Sequence, residues 1–431
     1  MADFLGRAGA WCGQNKYLSA IKNAFQNFMP LTIAGAIGVL WCNVLVNDQT
    51  GLGLFFKPIM ALDFLNPAFQ AVNFCTISCI TVGITLGIAQ EIGVWNMGAE
   101  RAGYIPGLVG LAAWLSVTNT SHMVDGAKEA FTGIAGNELG ATGLFTGMII
   151  GVLSVELFCF FEKQDALKIK MPEQVPPGVA RAFEVLVPAT ITLIITACIG
   201  SACYNLTGLY LNDVIKNGIQ GPLGAVGATI PGVMIIYLVI MLFWLVGIHG
   251  NNMLSAVKEA LFTPLALENV EAFNKGETPK NIINMYALQM WGEFGGSGVT
   301  IGLVIAIMIF GKREDNKAIA TLSLVPGLFN INETVTFGIP MVLNPILGIP
   351  FVVAPLVTII IGYVLTVIGF CPVACLTVPW TTPPIVFGFL ACGANVMGAV
   401  TQAILIVVST VIYVPFLISY EKYQNKQAAE A

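Results

Sequence analysis

Charged side chains are scarce in this chain. Lysine, arginine, aspartate and glutamate make up only 10% of its 431 residues, whereas soluble domains carry about 25%. So few ions cannot build a water-exposed surface, and the composition excludes a soluble globular protein. Lipid leaves two backbone solutions, helices or closed barrels. The apolar stretches are much longer than the ~10 residues of a barrel strand, which predicts an all-α polytopic membrane protein with the lipid bilayer as its solvent.

Metal-binding and nucleotide-binding patterns are also missing. The chain has two histidines, and its ten cysteines lie mostly in or beside apolar stretches, where free cysteine acts as a small buried hydrophobe. Cys371 and Cys375 are the most suggestive pair, but no histidine lies near them. The glycine-rich run Phe294-Gly-Gly-Ser-Gly298 does not follow a strand, which argues against a nucleotide site. We therefore expect no metal, no cofactor and no nucleic-acid partner.

The distribution of positive charge predicts the membrane orientation. Residues 1–28 have apolar positions at helical spacing and are predicted to form an amphipathic helix at the interface. Lysines and arginines cluster near residues 7–22, 163–181, 312–317 and 422–426. The positive-inside rule places all four clusters, and hence both termini, on the cytoplasmic side. Between the second and third clusters only three clear spans are found, an odd number that would place these clusters on opposite sides of the membrane. The polar stretch 251–282 is therefore predicted to cross, re-enter or line a cavity.

Two further stretches interrupt the apolar pattern, at residues 320–350 and 376–395, where prolines, glycines and asparagines accumulate. Broken hydrophobic segments mark the binding sites of many transporters. Residues 29–223 have fewer breaks and instead carry glycines four apart, such as Gly143, Gly147 and Gly151, which let helix backbones approach closely. These patterns predict a packing and assembly half at 1–210 and a working half at 224–431.

The candidate site residues lie in the broken segments. His249 ends a long apolar run, and Glu333 has no lysine or arginine nearby in sequence. Ionisable groups in such places are functional candidates and need a polar partner. Carboxylates, amides and imidazole bind polyol hydroxyls, and aromatic rings stack on sugar faces. The predicted substrate-binding residues are therefore His249, Asn330, Asn332, Glu333, Trp380 and Thr381.

Simpler interpretations remain open for several of these residues. His249 can be a helix-capping or packing histidine, His249 and Glu333 can form a purely structural pair, and Trp380 can belong to the interfacial aromatic belt. A second carboxylate, Glu293, lies at the edge of a span and is expected to be solvated.

Six segments together resemble one protein family, and the likeness runs essentially from end to end. They are Ala20-Ile-Lys-Asn-Ala-Phe followed by Met29-Pro-Leu-Thr-Ile-Ala-Gly35, Gly247-Ile-His-Gly250, Gly295-Gly-Ser-Gly298, Asn330-Ile-Asn-Glu333 with Phe337-Gly-Ile-Pro340 and Asn344-Pro345, and Val378-Pro-Trp-Thr-Thr-Pro383. The chain resembles the lactose/cellobiose-type membrane permease, enzyme IIC, of the bacterial phosphoenolpyruvate-dependent sugar phosphotransferase system.

The resemblance implies about ten transmembrane helices and a homodimer in the bacterial cytoplasmic (inner) membrane. It implies a dimerisation and scaffold half at 29–223 and a sugar-binding transport half with re-entrant hairpins at 224–431. It implies that His249 and Glu333 contact the sugar, with Glu333 near the hydroxyl that is phosphorylated. The phosphoryl donor is a phosphocysteine on a separate IIB protein, so this permease subunit is expected not to be catalytic alone. Many members have proline after the glutamate, where this chain has Thr334.

The predicted function is import of a disaccharide of the cellobiose, lactose or diacetylchitobiose type, coupled to its phosphorylation. In this hypothesis Glu333 accepts the proton of the attacking hydroxyl, and His249 holds the adjacent hydroxyls. One alternative is a proton-coupled secondary sugar transporter, in which the same two residues form a proton relay. Another is a membrane enzyme that acts on a lipid-linked sugar, which would need a metal or nucleotide site.

Overall fold

The structure is a computed structural model, and it describes residues 14–48, 52–122, 131–172, 174–339 and 341–430, together with Arg7 and Trp11. Most of these residues are helical. Within this part of the chain the only strands are Ser121–His122 (β1) and Phe131–Thr132 (β2), which pair antiparallel. The prediction of an all-helical architecture is confirmed.

The helices are labelled here in chain order. The earlier ones are α1 (Lys16–Leu40), α2 (Asn66–Asn73), α3 (Ile80–Met97), α4 (Ala99–Ala102), α5 (Ile105–Val117), α6 (Gly136–Leu139), α7 (Ala141–Glu162), α8 (Pro177–Thr207), α9 (Leu211–Ile215) and α10 (Gly221–Gly227). The later ones are α11 (Ile230–Leu245), α12 (Gly250–Met253), α13 (Ser255–Asn274), α14 (Met285–Gly292), α15 (Ile301–Phe310), α16 (Glu314–Leu328), α17 (Glu333–Gly338), α18 (Gly348–Val367), α19 (Val386–Ala391) and α20 (Val396–Glu430). Short π-helical segments are Trp41–Leu45, Phe74–Ser78 and Lys216–Gln220, and 3-10 segments are Leu52–Leu54, Lys57–Leu65 and Asp165–Leu167.

Several helices are long and apolar enough to cross a membrane. In the described part of the chain there are five, namely Lys16–Leu45, Ala141–Glu162, Pro177–Thr207, Gly348–Val367 and Val396–Gln427. A sixth arises if the bent pair Lys57–Ser78 and Ile80–Met97, with a bend of 42°, is one span. Helices α5, α11 and α15 are apolar but shorter. The chain is therefore a multi-pass membrane protein, and the count of about ten spans stays a prediction.

The chain forms two compact units. The N-terminal unit comprises Gln14–Gly35 and Ala71–Gly224, and the C-terminal unit includes Ala36–Gln70 and Ala225–Ala431. Helix α1 runs without a break across residue 28, where the sequence predicted the end of an interfacial helix. Of residues 1–13 only Arg7 and Trp11 are described, so the first half of that predicted helix lies outside the described residues.

In the N-terminal unit, α7 packs closely against α3. A Cβ atom on Gly147 would collide with the hydroxyl of Thr85, and one on Gly151 would lie 3.1 Å from the Thr85 carbonyl oxygen. The prediction that the glycines four apart allow close helix contact is confirmed at these two positions.

The C-terminal unit contains the interrupted helices. Helix α15 packs against α20, where the buried Tyr413 donates its hydroxyl proton to the carbonyl of Gly298 at 2.8 Å. The chain leaves helical structure after α11, between α16 and α17, and between α18 and α19. The second break is shorter than the predicted 320–350, because α16 continues to Leu328. Pro326 falls in its last turn, where the carbonyl of Pro326 accepts from Phe329 and Ile331.

Candidate functional site

His249 is held in the turn between α11 and α12, outside the apolar helices. Gly247 adopts a left-handed conformation, with φ of 81°, and lets the chain reverse after α11. The Nδ1 atom of His249 then accepts the backbone N–H of Asn252 at 3.2 Å and caps α12. The ring also contacts the Trp244 ring, with centroids 4.4 Å apart. In the neutral ring the proton therefore lies on Nε2, which is free to donate to a ligand.

Burial lowers the pKa of His249 below its ordinary value, and the nearby Glu333 carboxylate opposes that shift. Burial thus favours the neutral imidazole. A neutral ring with its proton on Nε2 is a hydrogen-bond donor to an oxygen, which suits a neutral polyol ligand.

Glu333 begins α17, directly after the break that follows α16. Its Oε1 atom lies 4.0 Å from His249 Nε2, and the two side chains keep 49% and 37% of their surface exposed. In the described part of the chain Glu333 forms no ion pair with lysine or arginine. The structure thus brings together the isolated acid and the isolated imidazole that the sequence singled out. Their separation is too long for a direct hydrogen bond.

Asn330 has all its amide protons engaged within the protein. Its Nδ2 donates to the carbonyls of Trp380 at 2.5 Å and Thr382 at 3.0 Å, and its Oδ1 accepts the backbone N–H of Gly295 at 2.6 Å. Its backbone is left-handed, with φ of 62°, a conformation that asparagine tolerates better than most residues. Asn330 therefore fastens three segments together and has no proton left to donate to a ligand.

Asn332 is likewise turned toward the protein. Its side chain is buried, and its Nδ2 donates to the carbonyl of Ser297 at 2.8 Å. Sequence reasoning grouped Asn330 and Asn332 with the ligand-contacting residues because their type suits polyols. In the structure their amide groups form hydrogen bonds to backbone groups and hold the segment that precedes Glu333 in place.

Trp380 and Thr381 lie in the non-helical loop between α18 and α19. Trp380 is exposed, at 44% of its surface, and Thr381 is half-buried. The hydrogen bonds of Asn330 join this loop to the turn of Glu333. An exposed indole on a loop tied to the turn of the acid is available for stacking on a sugar ring.

A buried ion pair beside the site was missed by sequence reasoning. Glu293 was expected to be solvated, and that was wrong. Its carboxylate is 17% exposed, pairs with the ammonium of Lys258, and accepts the hydroxyl of Tyr237 at 2.7 Å. Lys258, 7% exposed, also donates to Asn251 at 3.3 Å. The available signal was that both charges lie in the broken half of the chain without an opposite charge on the same helix face.

Among the described residues no group of three or more histidine, cysteine or acidic side chains is placed to hold a metal ion. The sequence singled out Cys371 and Cys375 as a pair, but in the structure Cys371 lies beside Cys392. The Sγ atom of Cys371 lies 3.9 Å from that of Cys392, and all three thiols, including Cys375, are buried and free.

Comparison with known proteins gives a consistent result. A model of the family described as "Phosphotransferase system, EIIC" matches residues 22–355. The chain is 33% identical to the oligo-beta-mannoside-specific EIIC component of Bacillus subtilis (strain 168), over 98% of this chain and 93% of that protein. It is 30% identical to the cellobiose-specific EIIC component of Lactococcus lactis subsp. lactis (strain IL1403), over 99% and 98%.

The fold is also shared with a solved transporter. The crystal structure of ChbC, the IIC component from the N,N'-diacetylchitobiose-specific phosphotransferase system, matches with a TM-score of 0.89 and 30% identity, over 97% of each chain. Together with the multi-pass helical architecture, these matches show that the chain belongs to the EIIC family and is a sugar permease component of a phosphotransferase system.

Proposed function

We propose that the chain imports a β-linked disaccharide of the cellobiose type, bound between His249 and Glu333. The 4.0 Å separation of His249 Nε2 and Glu333 Oε1 carries this proposal. A hydroxyl oxygen makes hydrogen bonds of about 2.8 Å, so one hydroxyl that lies beside the line joining the two atoms reaches both. The relatives named for oligo-β-mannoside, cellobiose and diacetylchitobiose support a β-linked disaccharide, and Trp380 supplies a stacking face.

His249 and Glu333 have different roles toward that hydroxyl. His249 donates from Nε2 to the oxygens of the sugar and fixes its orientation. Glu333 accepts the proton as the hydroxyl oxygen attacks the phosphoryl group of the phosphocysteine on a separate IIB protein. The new O–P bond replaces the S–P bond, and the cysteine leaves as a thiolate. A base positioned in this way typically contributes about 10²–10⁴-fold to a rate.

The finer features of the assembly belong to the same proposal. We place both termini in the cytoplasm, because Lys16 and Lys22 lie near one end and Lys422 and Lys426 near the other. We propose a homodimer formed mainly by the N-terminal half, residues 29–223, with sugar binding in 224–431. The shorter apolar helices α5, α11 and α15 support a total of about ten spans including re-entrant segments.

Uptake in membrane vesicles tests this function against proton coupling. Vesicles that contain the chain should accumulate radiolabelled cellobiose only when phosphoenolpyruvate and the soluble phosphotransferase proteins are inside, and the recovered product should be sugar phosphate. A pH gradient alone should give no uptake. Accumulation of unmodified sugar driven by a pH gradient would contradict the proposal and indicate a proton-coupled carrier.

Asn330→Asp is expected to weaken sugar binding by roughly 10-fold to 100-fold. The aspartate still accepts from Gly295, but it cannot donate to the carbonyls of Trp380 and Thr382, so it leaves these oxygens facing a carboxylate. The loop of Trp380 should then separate from the turn of Glu333. Equilibrium binding of labelled cellobiose to purified protein measures the change. Asn425→Asp, at an exposed position far from this turn in sequence, is the control. Equal affinity of Asn330→Asp and the wild type would show that the hydrogen bonds of Asn330 to Trp380 and Thr382 are not needed for sugar binding.

A further inference from the structure

The turns of His249 and Glu333 are far apart in sequence, yet their side chains lie within 4.0 Å. The polar atoms of the two residues make no direct hydrogen bond to each other at this distance. Their separation must therefore be set by the backbone segments on which they stand.

One buried residue contacts both segments. Asn251, two positions after His249, donates its Nδ2 to Ser297 Oγ at 2.9 Å. Asn332, immediately before Glu333, donates its Nδ2 to the backbone carbonyl of Ser297 at 2.8 Å. Ser297 is only 4% exposed, and its side chain is shielded from solvent. We call these three residues the Ser297 bridge.

The loop that carries Ser297 is built for close approach. Gly295, Gly296 and Gly298 all have positive φ, at 70°, 88° and 79°. A Cβ atom on Gly296 would lie 2.7 Å from Cβ of Asn332, well inside normal contact. Only glycine at this position lets the Ser297 carbonyl reach the Asn332 amide.

The ion pair of Lys258 and Glu293 fixes the orientation of Asn251 in the Ser297 bridge. Lys258 donates to Oδ1 of Asn251 at 3.3 Å and is itself paired with Glu293. With Oδ1 facing an ammonium group, the Nδ2 of Asn251 must face Ser297. The orientation of this amide is therefore determined by charge as well as by packing.

We propose that Ser297 is a positioning residue that holds the His249 imidazole and the Glu333 carboxylate at the separation needed for one sugar hydroxyl. The inference rests on the proposed function of that pair. Without the Oγ acceptor, the turn of His249 loses its attachment to the segment that supports Glu333. A displacement of about 1 Å in a catalytic pair costs on the order of 10²-fold in rate.

Ser297→Ala removes only the Oγ acceptor and keeps the carbonyl that receives Asn332. In a phosphorylation assay with the phosphorylated IIB partner and cellobiose, kcat should fall by roughly 10-fold to 100-fold, while KM changes much less. Ser323→Ala is the matched control, because Ser323 is equally buried and bonds only within its own helix, to the carbonyl of Ile319 at 2.7 Å. It should leave both constants unchanged.

A second measurement does not depend on transport. The chain has only two histidines, so ¹⁵N-histidine labelling gives two ring systems, and His122 serves as the internal reference. The Glu333 carboxylate opposes the lowering of the His249 pKa by burial, so Glu333→Gln should lower this pKa further. The decrease should be smaller when the same substitution is made in the Ser297→Ala variant. Ser297→Cys, with similar volume and a weak acceptor, replaces the alanine variant if that variant does not fold.

The proposal is overturned if a folded Ser297 variant keeps the wild-type kcat, or if the Glu333→Gln shift is equal in both backgrounds. If the wild type phosphorylates no disaccharide, the proposed function fails. The histidine titration then still decides the role of Ser297.

Discussion

Glu333→Gln should lower the rate of phosphoryl transfer to the sugar by about 10²–10⁴-fold and reduce sugar affinity far less. Glutamine keeps the shape of the side chain and one oxygen acceptor opposite His249 Nε2, but it cannot accept a proton. The hydroxyl would still be bound between the two groups and would no longer be deprotonated as it attacks. Single-turnover formation of sugar phosphate from phosphorylated IIB, measured beside equilibrium binding of labelled cellobiose, separates the two effects.

Glu271→Gln is the control for this substitution. Glu271 lies in the same unit and forms an exposed ion pair with Lys275, and such pairs contribute only about 0–1 kcal/mol. The control should bind and phosphorylate like the wild type. Equal losses of binding and turnover in Glu333→Gln would show that the carboxylate is a binding group only, and would refute its role as the base.

Much of this molecule was predictable from composition and pattern. The scarcity of charge predicted the membrane class, because lipid requires internally bonded helices. The breaks after α11, before α17 and before α19 were predicted because polar residues and prolines interrupt apolar runs there. His249 and Glu333 were identified because an ionisable group in such surroundings needs a partner, and the structure places them beside each other.

Other features depend on contacts that sequence pattern does not encode. Asn330 and Asn332 have the right chemistry for a polyol, but three-dimensional packing directs their amides to backbone carbonyls. Residues 36–70 cluster with the C-terminal unit, although in the chain they lie between the two parts of the N-terminal unit, Gln14–Gly35 and Ala71–Gly224. Local patterns describe which face of a helix is apolar and not which distant helix covers it.

The ion pair of Lys258 and Glu293 is the clearest case of this kind. Glu293 was expected to be solvated, and nothing in the sequence pattern joined it to Lys258, which lies on a different helical segment. Burying either charge alone would be costly, so the two residues are stable in the interior only as a pair. Tyr237 donates a further hydrogen bond to the carboxylate, and Asn251 accepts one from the ammonium group.

Lys258→Met is therefore expected to destabilise the protein by about 3–5 kcal/mol, because it leaves the Glu293 carboxylate buried without its cation. The double variant Lys258→Met, Glu293→Gln should recover much of that loss, since glutamine is neutral and its oxygen still accepts the hydroxyl of Tyr237. Thermal unfolding in detergent and the yield of folded protein from membranes measure both variants. Lys275→Met, which breaks the exposed pair with Glu271, should change stability by no more than about 1 kcal/mol. A double variant as unstable as Lys258→Met would show that packing of the lysine side chain, and not the unpaired charge, dominates at this position.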